Sequence, residues 1–564
     1  MAYLNILVPK LRTRLSTEKD IATTKEYTQI FMEFQANPAT LEVKKSGEVY
    51  TPLFLVTEML DKLPSHVWSN PSLIWFEPAC GLAPFLYMAY YRLFEGLKEI
   101  IPNDEVRRTH ILETMFYFNE IQTKNIELFK LLFNASAYKL NVFEGSFFEV
   151  VPASFQADII IGNPPYNAPG TSATGHTIWP QFVRSILTKN TLKHGGYLSF
   201  VHPSLWRKPG SDRSKTNDLF KLMTQTHQLL HLEMYDSKAG GKTFGCGTKY
   251  DWYVIENRPC YNTTSVKCEK GGLTELDLKS WDWLPNTLFS EVAKLIAPPD
   301  TPTQKVVAFR NRYFSGKKDI LSLVKTEEFC HPIVHTTPKV GIRYFYSNQR
   351  EAEVFDIPKV IFGDSGINHT VVDVGGGYGM TEHAIALVIE SKEEGETLSG
   401  VLKSHAFTKL LKACTWSNFQ LDWRLFAGFK EKFWELVDVE AVGVVSPVSG
   451  CSDGGEEDND GKCQSLTQKG TRCSKKAVEN GCCKIHMGKV KVKSPVVASS
   501  SAPVKLADAS SSSSAELDRV KLSQSSGSKG YTIAQLTSYC KERGLKIKSK
   551  SSKDVIRELL QSGL

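Results

Sequence analysis

The stretch Ile159-Ile160-Ile161-Gly162-Asn163-Pro164-Pro165-Tyr166 decides how this chain is organised. Three successive β-branched residues read as a buried strand, because such side chains suit a pleated, packed surface. Two adjacent prolines then fix φ and remove two N–H donors, so the strand must stop. Working outward, four more short apolar runs carry the same signature: Leu73–Phe76, Met115–Phe118, Tyr197–Val201 and Trp252–Ile255. They alternate with helical stretches from about Ser46 to Asn257. That alternation predicts an α/β fold, Rossmann-like, with a mostly parallel sheet.

In a doubly wound sheet, ligands bind beyond the carboxyl ends of the strands. The residues just after each run therefore carry the information. After the first comes Glu77-Pro78-Ala79-Cys80-Gly81-Leu82-Ala83-Pro84-Phe85, whose small residues let the backbone approach a ligand. The amides of the helix that follows attract negative charge. After the second comes Asn119-Glu120-Ile121, where an acidic side chain can accept hydrogen bonds from both hydroxyls of a ribose. Neither loop is specific by itself. The third is. The Asn163 side-chain oxygen and the Pro164 carbonyl can together accept both protons of one amino group, which localises the nitrogen lone pair. Tyr166 can stack on a planar ring. This is positioning and electrostatic preorganisation, and it needs no strong base.

The chain has 564 residues, too many for one core, so several domains are expected. No apolar run approaches the ~20 residues of a membrane span. The N-terminus lacks the basic start and apolar core of a signal peptide. A soluble, intracellular protein is expected. Twelve cysteines are present, and only Cys463, Cys473, Cys482 and Cys483 are dense. Reduced thiols with one metal site fit better than a disulfide scaffold.

Net charge is +7 and unevenly placed. Residues 461–564 carry 20 Lys and Arg against 7 Asp and Glu, whereas residues 1–460 are net acidic. A basic tail points to an anionic partner, with nucleic acid first. The expected organisation is an N-terminal helical segment (1–45), the α/β domain (46–258), a second mixed domain (259–440), an acidic linker (441–460), a Cys/His module (461–488), a Ser/Lys linker (489–529) and a terminal two-helix module (530–564). Cys463, Cys473, Cys483 and His486 supply three thiolates and an imidazole, which suits a tetrahedral structural zinc; Cys482 is an alternative to Cys483. In the last module, two apolar faces flank Lys546, Lys548, Lys550 and Lys553, placed to meet phosphates.

With these motifs in this order, residues 44–430 resemble the adenine-specific amino-methyltransferases of DNA, the restriction-modification-like subgroup with an Asn-Pro-Pro-Tyr motif. The resemblance implies a class I methyltransferase domain, S-adenosylmethionine as cofactor, and a target-recognition domain at 259–440. It implies double-stranded DNA as partner, and a separate restriction endonuclease as a further one. A flipped adenine would present its amino group to Asn163, Pro164, Pro165 and Tyr166. Thr51, Glu77, Pro78, Ala79, Gly81, Glu120, Ile121, Ser146, Phe147 and Asn163 match cofactor positions, with Phe147 against the adenine ring. Phe244, in Thr243-Phe244-Gly245, matches an aromatic that flanks the flipped base. Gly363-Asp364-Ser365-Gly366 and Gly375-Gly376-Gly377-Tyr378-Gly379 resemble turns of the recognition domain. The terminal module resembles a SAP domain, and the Cys/His segment a short module found beside nucleic-acid enzymes. A SAP-like tail suggests a nuclear or otherwise DNA-associated location in a eukaryotic or viral setting.

Two positions depart from the family. Ala83 stands where a second glycine is frequent, and Ser146 where an aspartate usually contacts the cofactor's adenine. The same tetrapeptide also serves enzymes that methylate RNA adenine or a protein glutamine. A catalytically silent DNA-binding protein on this fold is the third alternative.

Overall fold

Strands that are buried on both faces should be apolar throughout, and each expected run overlaps a strand of the sheet, although Leu73, Ile74 and Met115 lie before theirs. The computed structural model describes residues 4–36, 50–168, 177–210, 214–307, 313–416 and 420–438. The Cys/His module, the linkers around it and the terminal module lie outside the described residues, as do the zinc ligands and tail lysines expected from the sequence. Among the described residues, no helix is long and apolar enough to cross a membrane.

The fold is mixed α/β. Among the described residues its main sheet has nine strands: β1 (Trp75–Pro78), β2 (Phe116–Glu120), β3 (Asn141–Glu144), β4 (Ala157–Gly162), β5 (Leu192–Pro203), β6 (Gln228–Tyr235), β7 (Tyr250–Glu256), β8 (Thr264–Lys267) and β9 (Leu273–Leu276). Their order is β3-β2-β1-β4-β5-β7-β6-β8-β9. The first five run parallel, and β7 is antiparallel to both its neighbours. After β1 the chain winds outward through β2 and β3, then returns to lay β4 on the other side of β1. This reversal makes a topological switch point between β1 and β4, where a crevice opens at the strand ends.

Alternate residues build the two faces. Trp75, Phe116, Ile159, Ile161 and Trp252 join one core with the helices Leu53–Asp61, Pro84–Gly96 and Thr123–Leu132. Phe76, Ile160, Leu198, Phe200 and Tyr253 join the other, with helix Trp179–Thr188. The N-terminal helices Leu4–Leu15 and Thr24–Ala36 bury Leu11, Tyr27 and Ile30 in the first of these cores.

The sheet does not end at residue 258. β8 pairs with β6 and β9 with β8, so the sheet runs to Leu276, past the expected domain edge. These strands escape a reading by periodicity because they are short and β9 is largely exposed.

The second half holds two four-stranded sheets. One has the order β10 (Val306–Val307), β17 (Ala384–Val388), β14 (Lys359–Gly363), β15 (Thr370–Asp373). The other has β11 (Leu321–Ser322), β13 (Arg343–Ser347), β12 (His331–Thr336), β16 (Gly379–Met380). Val360 and Phe362 on β14 face a core with helices Lys392–Lys403 and His405–Ala413, while Ile361 faces the other sheet. The Gly375–Gly379 turn contains one position that only glycine fills. Gly376 has φ +64, and a Cβ there would lie 2.5 Å from the Asp356 Cα.

A buried polar knot joins the two halves. Arg207 donates to both carboxylate oxygens of Asp251 at 2.7 and 3.0 Å, to the Leu284 and Pro285 carbonyls, and to Asn286 Oδ1. Asn286 Nδ2 in turn donates to the Thr415 carbonyl, and Trp416 Nε1 to the Leu284 carbonyl.

Candidate active site at the carboxyl ends of β1, β2 and β4

Register brings the three loops together. Trp75 and Phe76 of β1 sit opposite Ile159 and Ile160 of β4, and Pro78 opposite Asn119 of β2. Gly81, Glu120 and Asn163 therefore emerge at one end of the sheet. They line one cleft, with Tyr50, Thr51, Glu77, Ala79, Ile121 and Pro165 among its other walls.

The loop after β1 is strained and tied down. Ala79, Gly81 and Ala83 all adopt left-handed φ, at 61°, 58° and 54°. For alanine this conformation costs about 1 kcal/mol or more, and such residues persist only where their surroundings impose them. Cys80 N donates to the Asn119 carbonyl at 2.8 Å, and Gly81 N to Glu120 Oε2 at 2.6 Å. Ala83 has no capping oxygen of its own, so Glu77 reaches the start of helix Pro84–Gly96 and accepts from Leu86 N at 3.0 Å. Burial pushes the Glu77 carboxyl well above its usual range, which the Leu86 and Phe85 amides only partly offset.

Glu120 is buried at the end of β2, and its Oε1 also accepts from Ile121 N and Gln122 N at 2.9 and 2.8 Å. Ile121 is 56% exposed at the cleft, an apolar surface beside an oriented carboxylate. Asn119 Nδ2 donates to the Phe143 and Gly145 carbonyls at 2.8 and 3.0 Å, tying the exit of β3 to that of β2. The motifs alone give Asn119 no role; a buried amide at a strand end is the signal of one. Nor do they single out Tyr50, Cys80 and Gln122, which are cleft walls.

On the β4 side, Pro164 is buried and Asn163 is half-buried. Tyr166 is half-buried, with its hydroxyl inside and its carbonyl accepting from Ile178 N at 3.0 Å. Burial drives the phenol's pKa up; the charges of Cys246 and Tyr250 add to this, and the Asn163 side chain opposes it. Phe244 packs edge-on against Tyr250 at 4.9 Å, and Tyr250 stacks flat on Tyr235 at 4.7 Å. Burial raises the Tyr250 phenol to about 12. Phe244, Tyr250 and Tyr235 form one aromatic cluster on the first core.

Three expected cofactor residues, Pro78, Ser146 and Phe147, are not walls of this cleft; Pro78 is the buried last residue of β1. Phe147 is buried, stacked on Phe182 at 5.0 Å and on Phe76 at 6.2 Å, so its ring belongs to the core. Ser146 precedes the short helix Phe147–Val150, and its carbonyl accepts from Glu149 N and Val150 N. Among the described residues, no group of three or more His, Cys, Asp or Glu side chains could hold a metal ion.

Comparison with known proteins adds three observations. Residues 460–497 match a family described as a domain of unknown function (DUF5763). Over 75 residues the chain is 38% identical to an uncharacterised adenine-specific methylase of Mycoplasma pneumoniae. That match covers 13% of this chain and 18% of the relative, so the chain spans under a fifth of the length of that curated protein. Similar solved structures include the type IIL restriction-modification enzyme MmeI in complex with DNA, at 10% identity and a TM-score of 0.39, covering 72% of this chain and 67% of that one. The M protein of the type I restriction enzyme EcoKI follows at 16% identity and a TM-score of 0.31, covering 52% and 76%. The methyltransferase subunit of a type I restriction-modification system from Streptococcus thermophilus matches at 14% identity and a TM-score of 0.29, covering 40% and 48%.

Proposed function

We propose that this chain transfers a methyl group from S-adenosylmethionine to the exocyclic amino nitrogen of an adenine in DNA. One observation carries the proposal: Asn163 and Pro165, at the end of β4, line the same cleft as Glu120 and Thr51. A group that can hold an amino nitrogen and an acid that can hold a ribose thus share one crevice at a topological switch point. The short stretch of identity to an adenine-specific methylase supports adenine as the target.

The residues present fit the cofactor. Its ribose hydroxyls would meet the Glu120 carboxylate, its adenine the exposed face of Ile121, and its methionine end Thr51 and the Ala79–Gly81 backbone. When bound, it supplies an electrophilic methyl group on a sulfonium. The chain's own part is to hold the acceptor. The Asn163 side-chain oxygen and the Pro164 carbonyl accept the two amino protons, and the Tyr166 ring stacks on the base. Phe244 walls the base on the side of Tyr250. No side chain needs to remove a proton before attack, so the advantage is orientation and a preformed electrostatic field.

The same proposal assigns residues 259–440 to target recognition, the Cys463, Cys473, Cys483 and His486 set to zinc, and Lys546, Lys548, Lys550 and Lys553 to DNA phosphates. Transfer of tritiated methyl groups to DNA, RNA and protein, run side by side, tests the proposal. Label in the adenine of duplex DNA is expected. Label in protein or RNA instead would overturn the substrate, and no label in any of the three would overturn the activity.

A further inference from the structure

The loop Ala79–Ala83 is held by the sheet at Cys80 and Gly81, but its fourth residue is held from elsewhere. The Tyr27 hydroxyl donates to the Leu82 carbonyl at 3.0 Å, across 55 residues of sequence. Tyr27 lies on the N-terminal helix Thr24–Ala36 and is fully buried. Its ring stacks on Tyr87 at 3.7 Å and 14°, on the helix that the loop begins. The helix cannot drift away from this contact. Tyr87 donates to the Ala22 carbonyl at 2.6 Å, Ala22 N to the Leu132 carbonyl at 2.8 Å, and Asn134 Nδ2 to the carbonyls of Leu15, Glu18 and Asp20.

We propose that Tyr27 is a positioning residue for the S-adenosylmethionine loop, which makes the N-terminal helical pair part of the cofactor site. The inference rests on the methyltransferase reading above. Leu82 lies between two left-handed residues and itself lines the cleft. Without the hydroxyl, its carbonyl loses a buried donor, and the peptide gains freedom to rotate. Rotation there moves Gly81 and Ala83 out of the left-handed region. The wall that meets the cofactor then has to be ordered at the moment of binding, which weakens binding without touching the transfer step.

The test uses the full chain with Tyr27→Phe, which keeps the stack and removes only the oxygen. Tyr87→Phe serves as control: it removes a buried hydroxyl bond to the Ala22 carbonyl, to which Tyr91 also donates at 3.2 Å, and leaves the Tyr27–Leu82 bond and the ring stack in place. Three quantities are read: S-adenosylmethionine affinity by calorimetry, the KM-against-kcat split, and amide exchange over residues 79–86 without ligand. Tyr27→Phe is expected to weaken cofactor binding roughly fivefold, in line with one net hydrogen bond. KM for the cofactor should rise with kcat unchanged, and amide exchange in the loop should quicken. Tyr87→Phe should lower thermal stability without these changes. Wild-type affinity and exchange in Tyr27→Phe, or equal effects of both variants, would overturn the inference. If the wild type binds no S-adenosylmethionine, the methyltransferase reading fails, and the exchange rates still decide whether Tyr27 holds the loop.

Discussion

The Glu120 carboxylate accepts a 2.6 Å hydrogen bond from Gly81 N, so the acid at the end of β2 holds the loop that follows β1. Its other oxygen accepts from Ile121 N and Gln122 N. Three amides orient one carboxylate toward the cleft before any ligand arrives.

Glu120→Gln separates orientation from charge. It keeps the shape, but it presents an NH2 group where the carboxylate accepted hydrogen bonds from N–H groups. S-adenosylmethionine affinity is expected to fall roughly tenfold to a hundredfold, the value of one charged hydrogen bond. Calorimetric titration checks it, and unchanged affinity would remove Glu120 from the cofactor site.

Asn163→Ala tests the transfer step. The methyl transfer rate is expected to fall by about 10^2 to 10^3, as for the loss of one preorganised polar contact in a transition state. Cofactor affinity should stay within about twofold. Tyr166→Phe should keep most of kcat/KM, because stacking needs the ring. Tyr166→Ala should lose roughly 10- to 100-fold. Single-turnover assays on DNA of known sequence give all three numbers.

Much of this geometry was legible, for physical reasons. Ile159–Ile161 is buried on both faces and needs no partner to be recognised. Glu120 was legible as an acid after a strand, but its bond to Gly81 depends on register and cannot be read from spacing. β6 was hidden because His231 and Glu233 interrupt its apolar pattern; they are satisfied by each other and by Lys267 and Tyr235, and these partners hold Glu233 down to about 2 against the effect of burial. Phe147 has the right spacing for a cofactor contact, yet its ring turns into the core onto Phe182. Tyr27 is invisible from sequence, since nothing local ties a helix at residue 27 to a loop at residue 82.

Ala79 carries backbone strain that a substitution can release. It is partly buried with φ 61°. Glycine adopts this conformation freely, whereas a β-branched residue does so least readily. Ala79→Gly is expected to leave stability unchanged or raise it by up to about 1 kcal/mol. Ala79→Val should lower it by about 2 kcal/mol or more. Denaturant midpoints of the three proteins show the ordering, and a more stable valine variant would remove the strain argument.

The Arg207–Asp251 pair is fully buried, and Trp206 Nε1 donates to the same carboxylate at 2.8 Å. Asp251→Ala leaves a guanidinium uncompensated between the two halves of the structure. A loss of about 3–5 kcal/mol is expected, the usual result of removing one partner of a buried pair. Asp251→Leu combined with Arg207→Met should recover part of it, because the pair's own desolvation cost disappears. Equilibrium unfolding of the single and double variants measures this.

His202 gives a pH dependence with a definite sign. It lies buried on β5, stacked on Trp179 at 3.9 Å, with Nε2 and the Tyr253 hydroxyl 2.9 Å apart. Burial lowers its pKa to about 3, and the Pro203 carbonyl opposes this only slightly. In the unfolded chain an ordinary histidine titrates near ~6.5. The unfolded state therefore binds the extra proton first as pH falls. Stability from a neutral His202 is fully present above the unfolded pKa and is lost as pH falls through the window from about 6.5 to about 3, at roughly 1.4 kcal/mol per unit. His202→Gln removes the titration while keeping a group that can accept from Tyr253. The variant should be less stable than wild type at pH 7, with the gap narrowing by about 2 kcal/mol at pH 5. The remaining histidines are common to both proteins, so the difference isolates this one. A gap that stays constant across that range would mean that the folded protein accommodates a charged His202.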